Sequence, residues 1–258
     1  MSVAVPWLYG LLVMLVLALL AWAVSTARRN VGLVDIFWST FFIGGAAVYA
    51  ATTPVTGART LLVLALVAAW ALRLSTYLAV RNWNAVEDHR YRAIRARNQP
   101  GFAWKSLYLV FGLQALLAWL ISAPLAASIA STAPFGALDV VGALLTAFGI
   151  AFEASADAQL TRFKATAANA GRVMDRGLWR YSRHPNYFGE FCVWWGLYTV
   201  ALGAGGWWTL FSPLLMTVLL LKVSGVTLLE QDIAERRPAY REYVARTNAF
   251  FPGPRRPS

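Results

Sequence analysis

The chain has 258 residues, of which 59% are hydrophobic and only 14% charged, with a mean hydropathy of +0.53. That balance excludes an ordinary soluble domain and supplies apolar runs long enough to cross a bilayer. A net charge of +11 would suggest nucleic acid in a soluble protein, but basic cytoplasmic loops explain it here and no nucleic-acid partner is expected. One cysteine, Cys192, rules out an intramolecular disulfide framework, and with two histidines it makes no ordinary zinc site, so no metal is expected.

The first apolar run, about Val5 to Val24, has almost no positive n-region and no small-residue cleavage site followed by a soluble domain. It reads as a membrane span rather than a signal peptide. The span ends at Arg28-Arg29, which mark the cytoplasmic side. A second span starts around Val34-Asp35-Ile36-Phe37-Trp38-Ser39 and reaches about Ala51. Asp35 is a carboxyl within an apolar stretch, and Ser39, four residues on, shares its helical face. Either Asp35 is structural, capping this helix or pairing with Arg73, or it marks a site; the sequence weighs the two equally.

The third span, about Thr60 to Val80, carries Trp70, Arg73, Tyr77 and Arg81 at spacings of three and four, a polar stripe on one face. Arg73 lies too far from its helix end to snorkel easily and is expected to face the bundle interior, against a carboxylate or a cofactor phosphate. The most charged loop follows, Arg81 to Lys105, centred on Glu87-Asp88-His89-Arg90-Tyr91-Arg92. Its two signs of charge, mixed with Trp83, Tyr91 and Trp104, favour an ordered cytoplasmic cover over a purely basic lipid-binding tail, which stays the alternative, with His89 an ordinary surface histidine. A fourth span is expected over Leu107 to Ala127, an outer turn at Pro134-Phe135-Gly136, and a fifth span from Leu138 inward.

Near the inner end of the fifth span, Glu153, Asp157 and Lys164 fall close to one helical face. Acids there oppose the helix dipole, so they are expected to have specific partners: the sugar hydroxyls of a nucleotide, or Arg172 or Arg176. Next comes the dense polar and aromatic run from Gly177 to Glu190. Pro185 disfavours helical backbone at His184 and suits a first helical position, which predicts a helix starting there with His184 as its N-cap. Unpaired N–H groups at that end, with Arg180 and Arg183 just ahead, offer a seat for an anion such as a phosphate. Asn186, Glu190 and Trp194 share one face. A carboxylate on a membrane helix costs about 2.5–3.5 kcal/mol unless something polar meets it, and a bound ligand is favoured over an arginine partner for Asn186 and Glu190 together. Gly203 to Gly206 makes an outer turn, no dinucleotide fingerprint follows a strand, and a seventh span, about Trp207 to Leu221, leads into a charged tail.

Seven spans with the N-terminus outside put Arg28-Arg29, the Arg81 to Lys105 loop, the Arg162 to Arg183 segment and the C-terminus on the cytoplasmic side. The expected fold is therefore an all-α polytopic membrane protein with about seven transmembrane helices, one integral membrane domain over residues 1–258.

Read together, Val34 to Ser39, Glu87 to Arg92, Gln159-Leu160-Thr161-Arg162-Phe163-Lys164 and Gly177 to Glu190 resemble the C-terminal domain of the steroid 5α-reductase family, most closely its bacterial, DUF1295-type branch of unknown-function proteins. The resemblance covers most of the chain and is densest over about residues 100–258. It implies a reductase of the bacterial inner membrane, surrounded by membrane lipids, that holds NADPH from the cytoplasmic side and admits a lipophilic enone, 3-oxo-Δ4-steroid-like, from the bilayer. By position, Asp157 and Lys164 resemble the family's cofactor-contacting acid and base, and Asn186 and Glu190 its polar pair at the nicotinamide end. Arg81 and Asn82 fall near its asparagine-arginine pair in reversed order. Arg73, Arg162, Arg180, His184 and Tyr187 complete the expected cofactor-binding set. Asp35 stands at the position of a second-helix glutamate and Trp70 where a third-helix tyrosine would be, so the carbonyl donors expected here are Asp35, in protonated form, and Tyr77 or water. Isoprenylcysteine methyltransferases carry a core similar to Arg183-His184-Pro185-Asn186-Tyr187, which keeps an S-adenosylmethionine-dependent membrane methyltransferase as the alternative; a non-catalytic lipid-binding or scaffold protein is a third reading.

Overall fold

The computed structural model describes residues 3–54, 56–223 and 239–256, and all regular structure among them is helical. In chain order the helices are α1 (Ala4–Ala27), α2 (Val34–Thr52, preceded by the 3-10 turn Val31–Leu33), α3 (Ala58–Asn82), α4 (His89–Arg97), α5 (Phe102–Ile121), α6 (Ala123–Ile129), α7 (Ala137–Ala165), α8 (Pro185–Gly203), α9 (Trp207–Val223) and α10 (Ala239–Arg246). Five of them are long and apolar enough to cross a membrane: α1, the run Val31–Thr52 that contains α2, α3, α5 and α7. The sequence places two further spans at α8 and α9. The 19 residues of α8 begin with Pro185, Asn186, Tyr187 and Glu190, and α9 is shorter. The expected fourth span, Leu107 to Ala127, is divided at Ser122: α5 ends there and α6 begins, with Pro124 in its first turn, where a missing N–H costs nothing.

The chain forms two compact units, residues 1–139 with 200–209, and residues 140–199 with 210–258. In the first unit α1, α2 and α3 pack in sequence. Apolar helices gain little from burying oily surface against each other in lipid, so close packing and a few polar bonds must hold them. The ties are visible. Tyr49 on α2 shares a 2.7 Å hydrogen bond with Ser122, and Trp7 and Trp119 each donate an indole N–H to the other's backbone carbonyl while their rings stack 4.3 Å apart. At the Ala58 end of α3, Arg59 makes a buried bidentate pair with Asp139 and also donates to the carbonyls of Ala133 and Pro134. Along α1, Leu8, Leu12, Val16 and Leu19 form an exposed apolar stripe at three- and four-residue spacing, a surface suited to lipid.

In the second unit α7 and α8 approach backbone to backbone. A Cβ placed on Gly149 would stand 2.6 Å from the Gly189 carbonyl oxygen, and one on Gly189 would stand 2.7 Å from the Glu153 backbone nitrogen. Seven residues further along α8, Gly196 meets Thr146 and the Gly142 carbonyl in the same way. Glycine at these crossing points is what small-residue packing of membrane helices requires. The C-terminal segment closes the unit: Phe250 and Phe251 pack edge-on against Phe188 and Phe191 at the start of α8.

Candidate active site

The candidate residues fall into two polar groups, one in each unit. In the first, Asn30 accepts from the Gly32 N–H and caps the 3-10 turn, which delivers Asp35 into the first turn of α2. Asp88 caps α4 through the Arg90 N–H, which sets Arg90 and Tyr91 in the first turn of that helix. The two turns meet. The Tyr91 hydroxyl donates a 2.6 Å hydrogen bond to Asp35 Oδ1, and Arg90 Nη2 lies 3.7 Å from Oδ2. Tyr91 is buried while the Asp35 side chain keeps 27% exposure, so the carboxylate sits at the edge of the packed region.

Burial, then the Asp35 charge and hydrogen bond, push the Tyr91 phenol well above the usual tyrosine range, with Arg90 pulling the other way. It therefore keeps its proton at every physiological pH. Beside it, burial works to raise the Glu87 carboxyl, but the hydrogen bonds from Arg95 and the Val31 N–H and the charges of Arg95 and Arg92 outweigh it and hold Glu87 below the ordinary carboxylate value. Arg95 and Glu87 form a bidentate pair that fastens the loop before α4 to the turn before α2. Within the segment Arg81 to Lys105 the chain thus forms α4 and these bonds, and His89 is 41% exposed, as a surface histidine should be.

Other expected residues of the first unit fall differently. Asp35 is not a helix cap; the partners that define its position come from α4, whereas the sequence offered Arg73. The Tyr77 ring carries the Arg81 guanidinium at 5.3 Å, and Arg81 Nε donates to Asn82 Oδ1, so these three form a local cluster at the end of α3. The phenol on Asp35 is that of Tyr91. Arg73, half-buried with its Nε and Nη2 shielded from solvent, faces inward as expected. Trp70 is fully buried edge-on against Phe42.

In the second unit α8 begins at Pro185, and the His184 carbonyl accepts the first helical bond from the Phe188 N–H, so His184 is the N-cap that the sequence predicts. The His184 N–H donates to Ser182 Oγ, which donates to the Phe250 carbonyl, and the His184 and Tyr187 rings stack 5.6 Å apart. Glu153, Asp157 and Glu190 are all buried. Because Gly189 touches Glu153 and the two helices run antiparallel, Asp157 lies one turn beyond Glu153 toward the end of α8 that holds Asn186 and His184. Arg162, Lys164 and Arg180 are exposed and stand apart in burial from these acids.

Arg183 departs from the expected anion seat. Its Nη1 donates to the Val244 and Thr247 carbonyls, and its backbone N–H to the Asn248 carbonyl, which ties the start of α8 to the end of α10. Tyr243 of α10 reaches back to the Trp179 and Ser182 carbonyls, and Gln159 on α7 accepts from the Leu178 N–H. The run Gly177 to Glu190 is thus held by α7 on one side and the C-terminal segment on the other. Sequence reasoning missed Tyr91, Arg90 and the structural role of Arg183. The Asp88 cap was the one signal that could have placed Tyr91 in a first helical turn.

Among the described residues, five helices able to span a membrane, an acid–phenol pair at the head of one of them, and buried carboxylates beside a helix N-terminus mark a helical integral membrane protein with polar groups at helix ends. The model of the family described as "Protein of unknown function (DUF1295)" matches residues 21–247, and the chain belongs to that family. It is similar to the uncharacterized protein C594.04c of Schizosaccharomyces pombe, 26% identical over 277 residues that cover 96% of this chain and 80% of the relative. No solved structure matches it.

Proposed function

We propose that the protein is an NADPH-dependent reductase of the carbon–carbon double bond of a lipophilic enone, with seven spans, the N-terminus outside, and the polar helix ends facing the cytoplasm at a bacterial inner membrane. The observation that carries the reading is the Tyr91–Asp35 pair: a buried phenol, protonated at all physiological pH, oriented by a carboxylate at the edge of an apolar span. Such a donor is what stabilises the negative charge that develops on a carbonyl oxygen when its conjugated double bond is reduced. Asp35 accepts the phenolic hydrogen bond and so orients Tyr91, which takes over the donor role that the sequence gave to Asp35 and Tyr77.

The residues of the second unit fit the cofactor by the chemistry of their groups. The first turn of α8 behind His184 presents backbone N–H groups suited to a phosphate, and Asp157 and Glu190 are buried carboxylates able to accept from ribose hydroxyls or a carboxamide. Asn186 can donate and accept beside them. The cofactor, when bound, supplies the hydride. Arg162, Lys164 and Arg180 are exposed cations of the sign that its outer phosphate needs.

One observation favours the methyltransferase reading. With Arg183 engaged on the α10 carbonyls, the seat at His184-Pro185 has one cation fewer for a multiply charged dinucleotide, which suits the less charged S-adenosylmethionine. Thermal unfolding of the detergent-solubilised protein separates the two. NADPH is expected to raise the melting temperature more than NADH, with S-adenosylmethionine inert; stabilisation by the methyl donor alone would overturn the reductase assignment.

A further inference from the structure

An open cavity of about 360 Å³ lies where α1 and α3 end, walled by Arg28, Arg29, Asn30, Trp83, Asn84 and Glu87. Its volume is at the low end for ligand sites, enough for a polar headgroup with its chains outside. Its charge is one-sided. Neither Arg28 nor Arg29 has a carboxylate partner among the described residues; the one acid in the wall, Glu87, is already bound by Arg95 and the Val31 N–H. The Arg28 guanidinium is held over the Trp83 ring at 4.6 Å, which fixes it without neutralising it. Arg29 has the left-handed φ of +54°, a conformation that costs an arginine energy where glycine would be free, and its carbonyl accepts from Arg95.

Depth decides what fits. The apolar helix α1 stops one residue before Arg28, and α3 stops one residue before Trp83, so with α1 and α3 as membrane spans the cavity mouth would fall where a bilayer places its phosphates. Val80 and Val86, on either side of Trp83, are 85% and 83% exposed, an apolar flank next to a cationic seat. We propose that this cavity is a discrete binding site for the phosphate of an anionic phospholipid, with Arg28 and Arg29 clasping the phosphate oxygens and the acyl chains lying along α1 and α3. Guanidinium forks match phosphate oxygens bidentately. A zwitterionic headgroup would bring its ammonium toward two guanidinium groups with no available carboxylate to receive it, so phosphatidylglycerol is favoured over phosphatidylcholine. The proposal stands apart from the reductase reading.

Native mass spectrometry of the detergent-purified full chain, loaded with equal phosphatidylglycerol and phosphatidylcholine, tests it. The wild type is expected to retain one phosphatidylglycerol at least fivefold more than phosphatidylcholine, and Arg28→Gln/Arg29→Gln to lose that preference. Arg97→Gln, which removes an exposed arginine of α4 outside the cavity, should keep it. Arg29→Gln alone, with a halved or smaller preference, serves where the double variant does not fold. Equal retention of both lipids by the wild type, or an unchanged preference in both cavity variants, would refute a discrete site. Displacement of the lipid by millimolar glycerol 1-phosphate would reassign the cavity to free phosphate esters, and displacement by 2′,5′-ADP to a nucleotide; either result ends the lipid assignment.

Discussion

The Tyr91 hydroxyl donates to Asp35 Oδ1 at 2.6 Å, across 56 residues of sequence, and so joins the first turn of α4 to the first turn of α2. If this pair polarises a carbonyl, removing the phenolic oxygen should slow turnover without disturbing the cofactor. Tyr91→Phe is expected to lower kcat with an enone substrate by about 10²–10⁴-fold while leaving stabilisation by NADPH unchanged. Asp35→Asn should act in the same direction but more weakly, since an amide oxygen still accepts the phenolic bond. Full turnover in Tyr91→Phe would remove the phenol from the mechanism.

The Glu87 carboxyl, held below its ordinary value chiefly by Arg95 against the opposing effect of burial, links the loop before α4 to pH. A depressed folded value means that the stabilisation is present above the unfolded pKa and is lost as pH falls through the folded one. Amide hydrogen exchange within residues 81–105, corrected for its intrinsic pH dependence, should therefore speed up as pH falls below about 4.3, the ordinary glutamate value. Glu87→Gln should show the faster exchange already at pH 7 and lose the acid-dependent step.

The approach of α7 and α8 leaves no room for a side chain. Gly149→Ala and Gly189→Ala each force a methyl within 2.7 Å of opposing backbone. Each is expected to destabilise by about 1–3 kcal/mol, read as a lower melting temperature in detergent. Gly57→Ala is the control, because nothing lies within 4 Å of the added Cβ there.

Arg183 and Tyr243 fasten the C-terminal segment to the start of α8. Arg183→Gln should free α10, with trypsin cutting at Arg241 and Arg246 several-fold faster than in the wild type. An effect on ligand stabilisation without faster cleavage would instead make Arg183 a ligand contact.

Helix existence was legible because it depends on local pattern. The apolar runs gave α1, α2, α3 and α7 nearly to their ends, and Pro185 gave the N-cap at His184 from the steric rule for a residue before proline. What the sequence left open was partner choice. Asp35 meets Tyr91 across 56 residues and Arg183 meets Thr247 across 64, and no periodicity specifies which of many cations or phenols a distant fold will bring near. Tyr91 was hidden because it sits among Glu87, Asp88, Arg90 and Arg92, a run whose composition reads as solvent-facing although one ring of it is buried. The break at Ser122 was missed because Ala123 to Ile129 continues the apolar run that the fourth span needed.

Glycines 142, 149, 189 and 196, spaced seven apart on each helix, set α7 and α8 so near that neither can rotate or slide without driving one main chain into the other. The pair is therefore expected to move as one body, and spin labels placed along the two helices should report a fixed spacing whatever small molecule is added.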